Sequence, residues 1–193
     1  MSKNRKILLS VVLVILLIVV IIWRYTALNK DYPNPKVITY QEGERIKGGD
    51  IEITILSSEL VSMEKVLELA PDVQNEIRDT KGELLKNEQK KVLLVKLGIQ
   101  NLSDAKQSAS VAHFAVQSDA WTNGVDLNTY CALNDVQETA ITLDARETQE
   151  VMAPFYLYEI QFTGHKFQKI GERQFQLVLS TYPVKNMVEL QLN

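Results

Sequence analysis

The stretch Val92-Leu93-Leu94-Val95-Lys96-Leu97-Gly98-Ile99 decides the fold. Leu93, Val95, Leu97 and Ile99 recur at a spacing of two, so a β-strand places them on one face. Val92 and Leu94 fall on the other face, which implies a strand covered on both sides at that end. A charged stretch precedes it and a polar turn, Asn101 to Gln107, follows.

Working outward, the same period recurs. Ile51, Ile53 and Ile55 alternate with Glu52 and Thr54. Phe175, Leu177 and Leu179 alternate with Gln174, Gln176 and Val178, and Val188, Leu190 and Leu192 make a last strand. Val37 to Tyr40 reads as a first edge strand, and Ala140 to Leu143 as a short one. Ser110 to Gln117 reads as another, with Ala112, Phe114 and Val116 on one face and His113 on the other. Val151, Ala153, Phe155 and Leu157 alternate too, but Pro154 has no amide proton to give and confines that strand to an edge or a bulge. Trp121 to Gly124 reads as a turn that tucks the indole beneath it, Asn128 to Leu133 as a short strand, and Gln161 to Arg173 as a loop. Ser62 is placed to cap a short helix over 63–69, with Val66, Leu69 and Ala70 inward and Pro71 ending it. Seven or eight short strands with turn signals between them, and no βα alternation, predict an all-β antiparallel sandwich.

Residues 71–91 carry ten charged side chains, with Gly82 among them. They are expected to form a solvated excursion outside the core, the sharper alternative being a charged docking surface.

Ahead of the domain lies Ile7 to Trp23, 17 residues without charge, Pro or Gly and with one hydroxyl, Ser10. As a helix it spans about 26 Å, enough for a bilayer's hydrocarbon core. The apolar run of a cleaved signal is shorter, roughly 7–15 residues, and ends at a small-x-small site. Here Trp23-Arg24-Tyr25 follows, and no Cys stands there for lipidation, so an uncleaved single-pass anchor is expected. Lys3, Arg5 and Lys6 precede the run and only Arg24 follows closely, which predicts a cytoplasmic N-terminus and an extracellular remainder. The expected division is a cytoplasmic tail over 1–6, a transmembrane helix over 7–23, a linker over 24–35 holding Pro33 and Pro35, and a domain over 36–193 with its excursion at 62–91.

Three of the 21 bases precede the run, so the remainder carries 18 bases against all 24 acids, a net charge of −6. That balance argues against nucleic acid as a partner. Cys131 is the single cysteine, so no internal disulfide forms and the fold rests on its core. Asn101-Leu102-Ser103 matches the glycosylation triplet.

Catalytic and metal-binding signals are sparse. His113 and His165 are the two histidines, with no His-x-His or Cys-x-x-Cys spacing, and a closed zinc site needs four ligands. Cys131 and His165 form an imaginable nucleophile pair, but Tyr-Cys-Ala-Leu reads as a small buried hydrophobe. No catalytic, cofactor-binding or metal-binding residue is assigned, and no cofactor is expected.

Lys91 to Ser103 resembles the long apolar strand followed by Asn-x-Ser of telokin-like, immunoglobulin-related bacterial surface domains. Leu143-Asp-Ala-Arg-Glu147 with Ala153-Pro-Phe-Tyr-Leu157 resembles their boundary glutamate and next strand. Leu177 to Lys185, then Val188 to Leu192, is similar to the closing hairpin of a membrane-anchored Gram-positive subgroup of unknown function. The chain has Ala145-Arg146 where that family often has Pro-Gly. The resemblance implies an immunoglobulin-like β-sandwich at the cell surface and carries over no site residues. Together these readings predict a non-enzymatic, membrane-tethered accessory module that recognises a protein or cell-envelope component. The alternatives are a cell-wall enzyme using Cys131 and His165, or a purely structural envelope protein.

Overall fold

The apolar stretch lies in β4 (Lys90–Asn101), between β3 (Ile51–Ser62) and β9 (Thr148–Tyr158); β2 (Arg45–Gly48) completes a four-stranded sheet of order β2-β3-β4-β9. Every pairing in it is antiparallel. A second sheet joins β1 (Lys36–Gln41), β6 (Ala115–Ser118), β7 (Trp121–Gly124), β10 (Phe175–Ser180) and β11 (Val184–Leu190) in the order β1-β11-β10-β6-β7. A two-stranded sheet pairs β5 (Gln107–Ser110) with β8 (Ala140–Leu143). The helices are α1 (Lys3–Asp31), α2 (Met63–Leu69) and α3 (Leu127–Asn134). This is a computed structural model that describes residues 3–73, 76–162 and 164–192. It divides into one unit up to Lys36 and another from Val37 onward.

The main core lies between the two larger sheets. Leu93, Val95, Leu97 and Ile99 face it from β4, Val151, Ala153, Phe155 and Leu157 from β9, and Phe175, Leu177, Val188 and Leu190 from the other sheet. The all-β sandwich expected from the sequence is therefore the observed one. Val92 and Leu94 enter a second core on the outer face, under Met63, Val66 and Ala70 of the α2 segment and beside Tyr156 and Tyr158 of β9. Ser62 caps α2, its hydroxyl accepting from the Lys65 amide. Leu69 was expected inward but is exposed, and Met63 takes the inner place.

The second core corrects the reading of residues 71–91. Val73 and Leu85 are buried in it and Ile77 packs against it. Between them a turn is closed by the Asp79 amide donating to the Glu83 carbonyl (2.8 Å) and the Leu85 amide to the Ile77 carbonyl (2.8 Å). The Asp79 carboxylate accepts from the Lys81 and Glu83 amides. Three well-spaced apolar residues seat this segment on the sheet while most of its charges stay at the surface, Lys90 being buried where β4 begins. Gln74 and Asn75 fall outside the described residues.

Three other readings change. Asn128 to Leu133 belongs to a helix, because the Asp126 carboxylate accepts from the Thr129 amide at 2.9 Å and Asp135, in the left-handed region at φ 52°, ends it. The strand expected over 110–117 is divided by a turn in which the Phe114 amide donates to the Val111 carbonyl. Val111 is buried there, and Ala112 is exposed. Trp121 to Gly124 is edge strand β7 rather than a turn. In β3, a bulge between Ile55 and Ser57 shifts the inward positions from Ile51, Ile53 and Ile55 to Ser58 and Leu60.

β9 is the edge strand that Pro154 requires. Asn134 of α3 reaches its outer side, accepting from the Met152 amide (2.7 Å) and donating to the Met152 carbonyl (2.9 Å). The Asp126 amide donates to the Pro154 carbonyl (2.9 Å) and Asn123 of β7 to the Tyr156 carbonyl (2.8 Å).

Asn101 ends β4 as a fully buried staple. Its amide nitrogen donates to the carbonyls of Ala105 (2.7 Å) and Asp144 (2.8 Å), and its oxygen accepts from the amide and hydroxyl of Ser103. The glycosylation triplet is thus a structural device, with its amide enclosed. Beside it, Ala145-Arg146 forms the turn closed by the Glu147 amide on the Asp144 carbonyl, and Arg146 sits at φ 63°. That conformation suits glycine. Arg146→Gly should raise the melting temperature by a few degrees despite losing the exposed ion pair with Asp104, because such pairs contribute little. A lower melting temperature would show that the ion pair outweighs the backbone.

The N-terminal unit is mostly α1. The helix runs past the apolar stretch to Asp31, so residues 24–31 of the expected linker are helical. Arg24 to Asp31 contains no Pro or Gly, and Pro33 disfavours helix at the residue before it. Side chains from Val11 to Trp23 are all exposed, and Ser10–Asp31 is long and apolar enough to cross a membrane.

Candidate ligand-binding site

The candidate site is an apolar cavity of about 350 Å³ at one end of the sandwich. Its floor is a cross-strand row: Ile46 of β2 pairs with Ile53 of β3, which pairs with Ile99 of β4. Ile51, Phe114 and Leu179 complete the apolar wall. The rest of the lining is mostly small: Gly48, Ser108, Ala109, Ser110 and Ser180. The cavity exists because none of these carries a side chain large enough to fill the gap where the sheets part.

Polar groups stand around its mouth. The Ser180 hydroxyl donates to the Val184 carbonyl (2.8 Å) and accepts from the Asn186 side-chain amide (2.9 Å), which fixes both side chains. His113 is exposed and set edge-on to Phe114, with ring centres 4.6 Å apart. Lys47 borders it from β2, but it alternates with the inward Ile46, so its side chain falls on the other face of the sheet. Its cross-strand partner Glu52 is buried, with its carboxylate 3.8 Å from Arg45. An apolar cavity with a few fixed polar groups at its mouth can bind a small ligand and orient one end of it. A larger hollow of about 680 Å³ beside Lys86, Lys91 and Phe167 is lined mostly by charged and amide side chains.

The residues singled out in the sequence lie elsewhere, except His113. Cys131 sits half-buried on α3 against the main core, and His165 is exposed in a surface turn with its Nδ1 3.4 Å from the Gln168 amide. No hydrogen bond joins Cys131 to His165. Trp121 packs on edge strand β7 against Phe162 and Phe175, with ring centres 5.6 and 6.1 Å away. Its indole N–H has no partner among the described residues. Arg173 beside it is engaged by Ser118, Asp119 and the Phe162 ring. Among the described residues, no group of three or more His, Cys, Asp and Glu side chains could hold a metal ion. The cavity escaped sequence reading because it depends on which strands pair; Gly48 and the run Ser108-Ala109-Ser110 were its only sequence trace.

Three solved structures are similar to the chain at low identity. An uncharacterized β-sandwich protein from Clostridium difficile is 14% identical, with a TM-score of 0.48 over 81% of this chain and 96% of that one. The yjhA protein from Bacillus subtilis is 10% identical, with a TM-score of 0.45 over 79% and 99%. A functionally unknown protein from Listeria monocytogenes is 10% identical, with a TM-score of 0.46 over 73% and 71%. No curated protein matches the chain. The family described as a domain of unknown function, DUF5028, matches residues 37–186, which hold both sheets up to the middle of the last strand and the whole cavity lining. The chain belongs to the DUF5028 family.

Proposed function

We propose that this chain is a non-enzymatic binding module tethered to the cell membrane, with α1 as an uncleaved anchor and the inter-sheet cavity as its ligand site. The cavity carries the reading: a preformed apolar space with oriented polar groups at its mouth suits binding. The helix supports the tether, because side chains from Val11 to Trp23 lie exposed and need a non-aqueous environment. The three bases before the apolar run, against one close behind it, support a cytoplasmic N-terminus and an extracellular domain.

Two measurements test the reading. Protease added to intact cells should digest the domain and leave a fragment containing residues 7–23; a protected domain overturns the orientation. A photo-crosslinking residue at Ser108, at the cavity mouth, should give a defined adduct in membranes that is missing when the same residue replaces the distant, exposed Glu172. Identical adducts from both positions would remove the cavity as the site.

A further inference from the structure

The cavity opens beside a strand edge that nothing covers, and that edge specifies the kind of ligand, an inference that rests on the binding-module reading. We propose that the site takes an extended peptide segment that adds a strand to β2, with acidic side chains alternating with aliphatic ones.

The two edges of the four-stranded sheet differ. At β9, Asn134 occupies both backbone groups of Met152, and the carbonyls of Pro154 and Tyr156 accept from the Asp126 amide and Asn123. At β2, among the described residues, the ladder with β3 is the only one, and no side chain or turn amide bonds to the outer backbone groups. The register identifies those groups. The Leu102 amide donates to the Asp50 carbonyl and the Gly43 amide to the Ile55 carbonyl, so even-numbered residues in this half of β3 bond toward β4 and odd-numbered ones toward β2. Ile53 therefore bonds to Ile46, and the N–H and C=O of Arg45 and Lys47 point out of the sheet. An open edge beside an apolar pocket is what strand addition uses: main-chain bonds give affinity and the pocket takes alternate side chains.

The side chains of β2 set the pattern. Ile46 and Gly48 share the inward face, so residues added opposite them enter the cavity, where Ile53, Ile99, Phe114 and Leu179 offer hydrocarbon and Gly48 leaves room. At roughly 30 Å³ for each water-sized group, the cavity's 350 Å³ accepts two aliphatic side chains. Arg45 and Lys47 are exposed on the outer face. Arg45 approaches the Glu52 carboxylate at 3.8 Å, and Lys47 forms no ion pair among the described residues. Residues added opposite these two cations are favoured as acids. The same cations disfavour a second copy, whose own Arg45 and Lys47 would come against them.

The test uses the full chain in lipid nanodiscs, with empty nanodiscs as blanks. It is titrated calorimetrically with acetyl-Ile-Glu-Val-Glu-amide, its Lys-for-Glu counterpart, an acidic form N-methylated at every peptide nitrogen, and octanol. The acidic peptide should bind about tenfold more tightly than the basic one, because two charge contacts change sign. N-methylation should abolish binding, because it removes the N–H groups that pair with the open edge. Lys47→Glu, at an exposed position, should bring the two peptides to similar affinity. If that variant fails to fold, Lys47→Gln serves in its place and should lower the preference to about threefold, one of the two contacts being lost. Equal binding of the two peptides, binding by the methylated form, or a preference unchanged by the Lys47 substitution overturns the proposal. So does octanol binding where the peptides give no heat, which assigns the cavity to a small apolar ligand. A dimer in light scattering that excludes the peptide also overturns it and assigns the edge to a second copy. In each of these cases a specific adduct from Ser108 upholds the binding module, and its absence sinks that reading as well.

Discussion

Leu97→Asp should leave the domain without a cooperative melting transition. Leu97 is fully buried in β4, paired with Ile55 on one side and Val151 on the other, and all three face the main core. A carboxylate placed there has no counter-charge among its apolar neighbours. Keeping it protonated or ionised costs several kcal/mol, and the lost leucine contacts cost more. Small domains have only about 5–15 kcal/mol in total. The single cysteine allows no internal disulfide to restrain the unfolded chain. Near-ultraviolet circular dichroism of the purified chain, followed with temperature, reads the outcome. Far-ultraviolet signal from α1 persists and must not be mistaken for the domain. A normal cooperative transition would mean that β4 is not at the centre of the core.

The second large effect is expected at a polar residue. Asn101→Ala should destabilise the domain by about 3 kcal/mol, because truncation removes several hydrogen bonds at one fully buried point. The Ser103 amide loses its acceptor, and the carbonyls of Ala105 and Asp144 each lose one of two donors, keeping the Ser103 hydroxyl and the Glu147 amide. Asn101→Asp separates the causes: it keeps the oxygen that accepts from Ser103 but loses the donor to the two carbonyls. Urea denaturation of both variants should place Asp at least as low as Ala, because a buried carboxylate then also faces carbonyl oxygens. A midpoint near that of the unmodified chain in either variant would show that the turn is held by other contacts.

These two residues mark how far the sequence could be read. Leu97 lies in a strand whose period of two is uninterrupted, and the sandwich followed from that strand and its like. The helix after Ser62 was also legible, because a cap at Ser62 and a proline stop at Pro71 bracket it in the chain. β3 was legible only up to Leu56. Its bulge shifts the inward positions from odd to even numbers, so Ser58 and Leu60 break the pattern that Ile51, Ile53 and Ile55 establish. The segment 71–91 was misjudged because its charges are local and visible, whereas the surface that receives Val73 and Leu85 forms only when α2 and β4 meet the distant β9. α3 was missed because its eight residues are too few for a helical period to stand out. Asn101 carried a recognisable triplet whose meaning was structural. The cavity was illegible for the same reason as the docked segment: three isoleucines from three strands become a floor only once register is known.

The way Asn134 and Pro154 complete the outer side of β9 bears on how copies of this chain coexist. Under the proposed tether, copies share a membrane plane and meet more often than in free solution, and an open strand edge would let one sheet continue into the next. At Met152 both backbone groups are already occupied by one asparagine side chain, and at Pro154 there is no amide proton to offer. A neighbour approaching that side finds no template to copy. Crowding of these domains at a surface should therefore leave them separate particles rather than seed a fibre from β9.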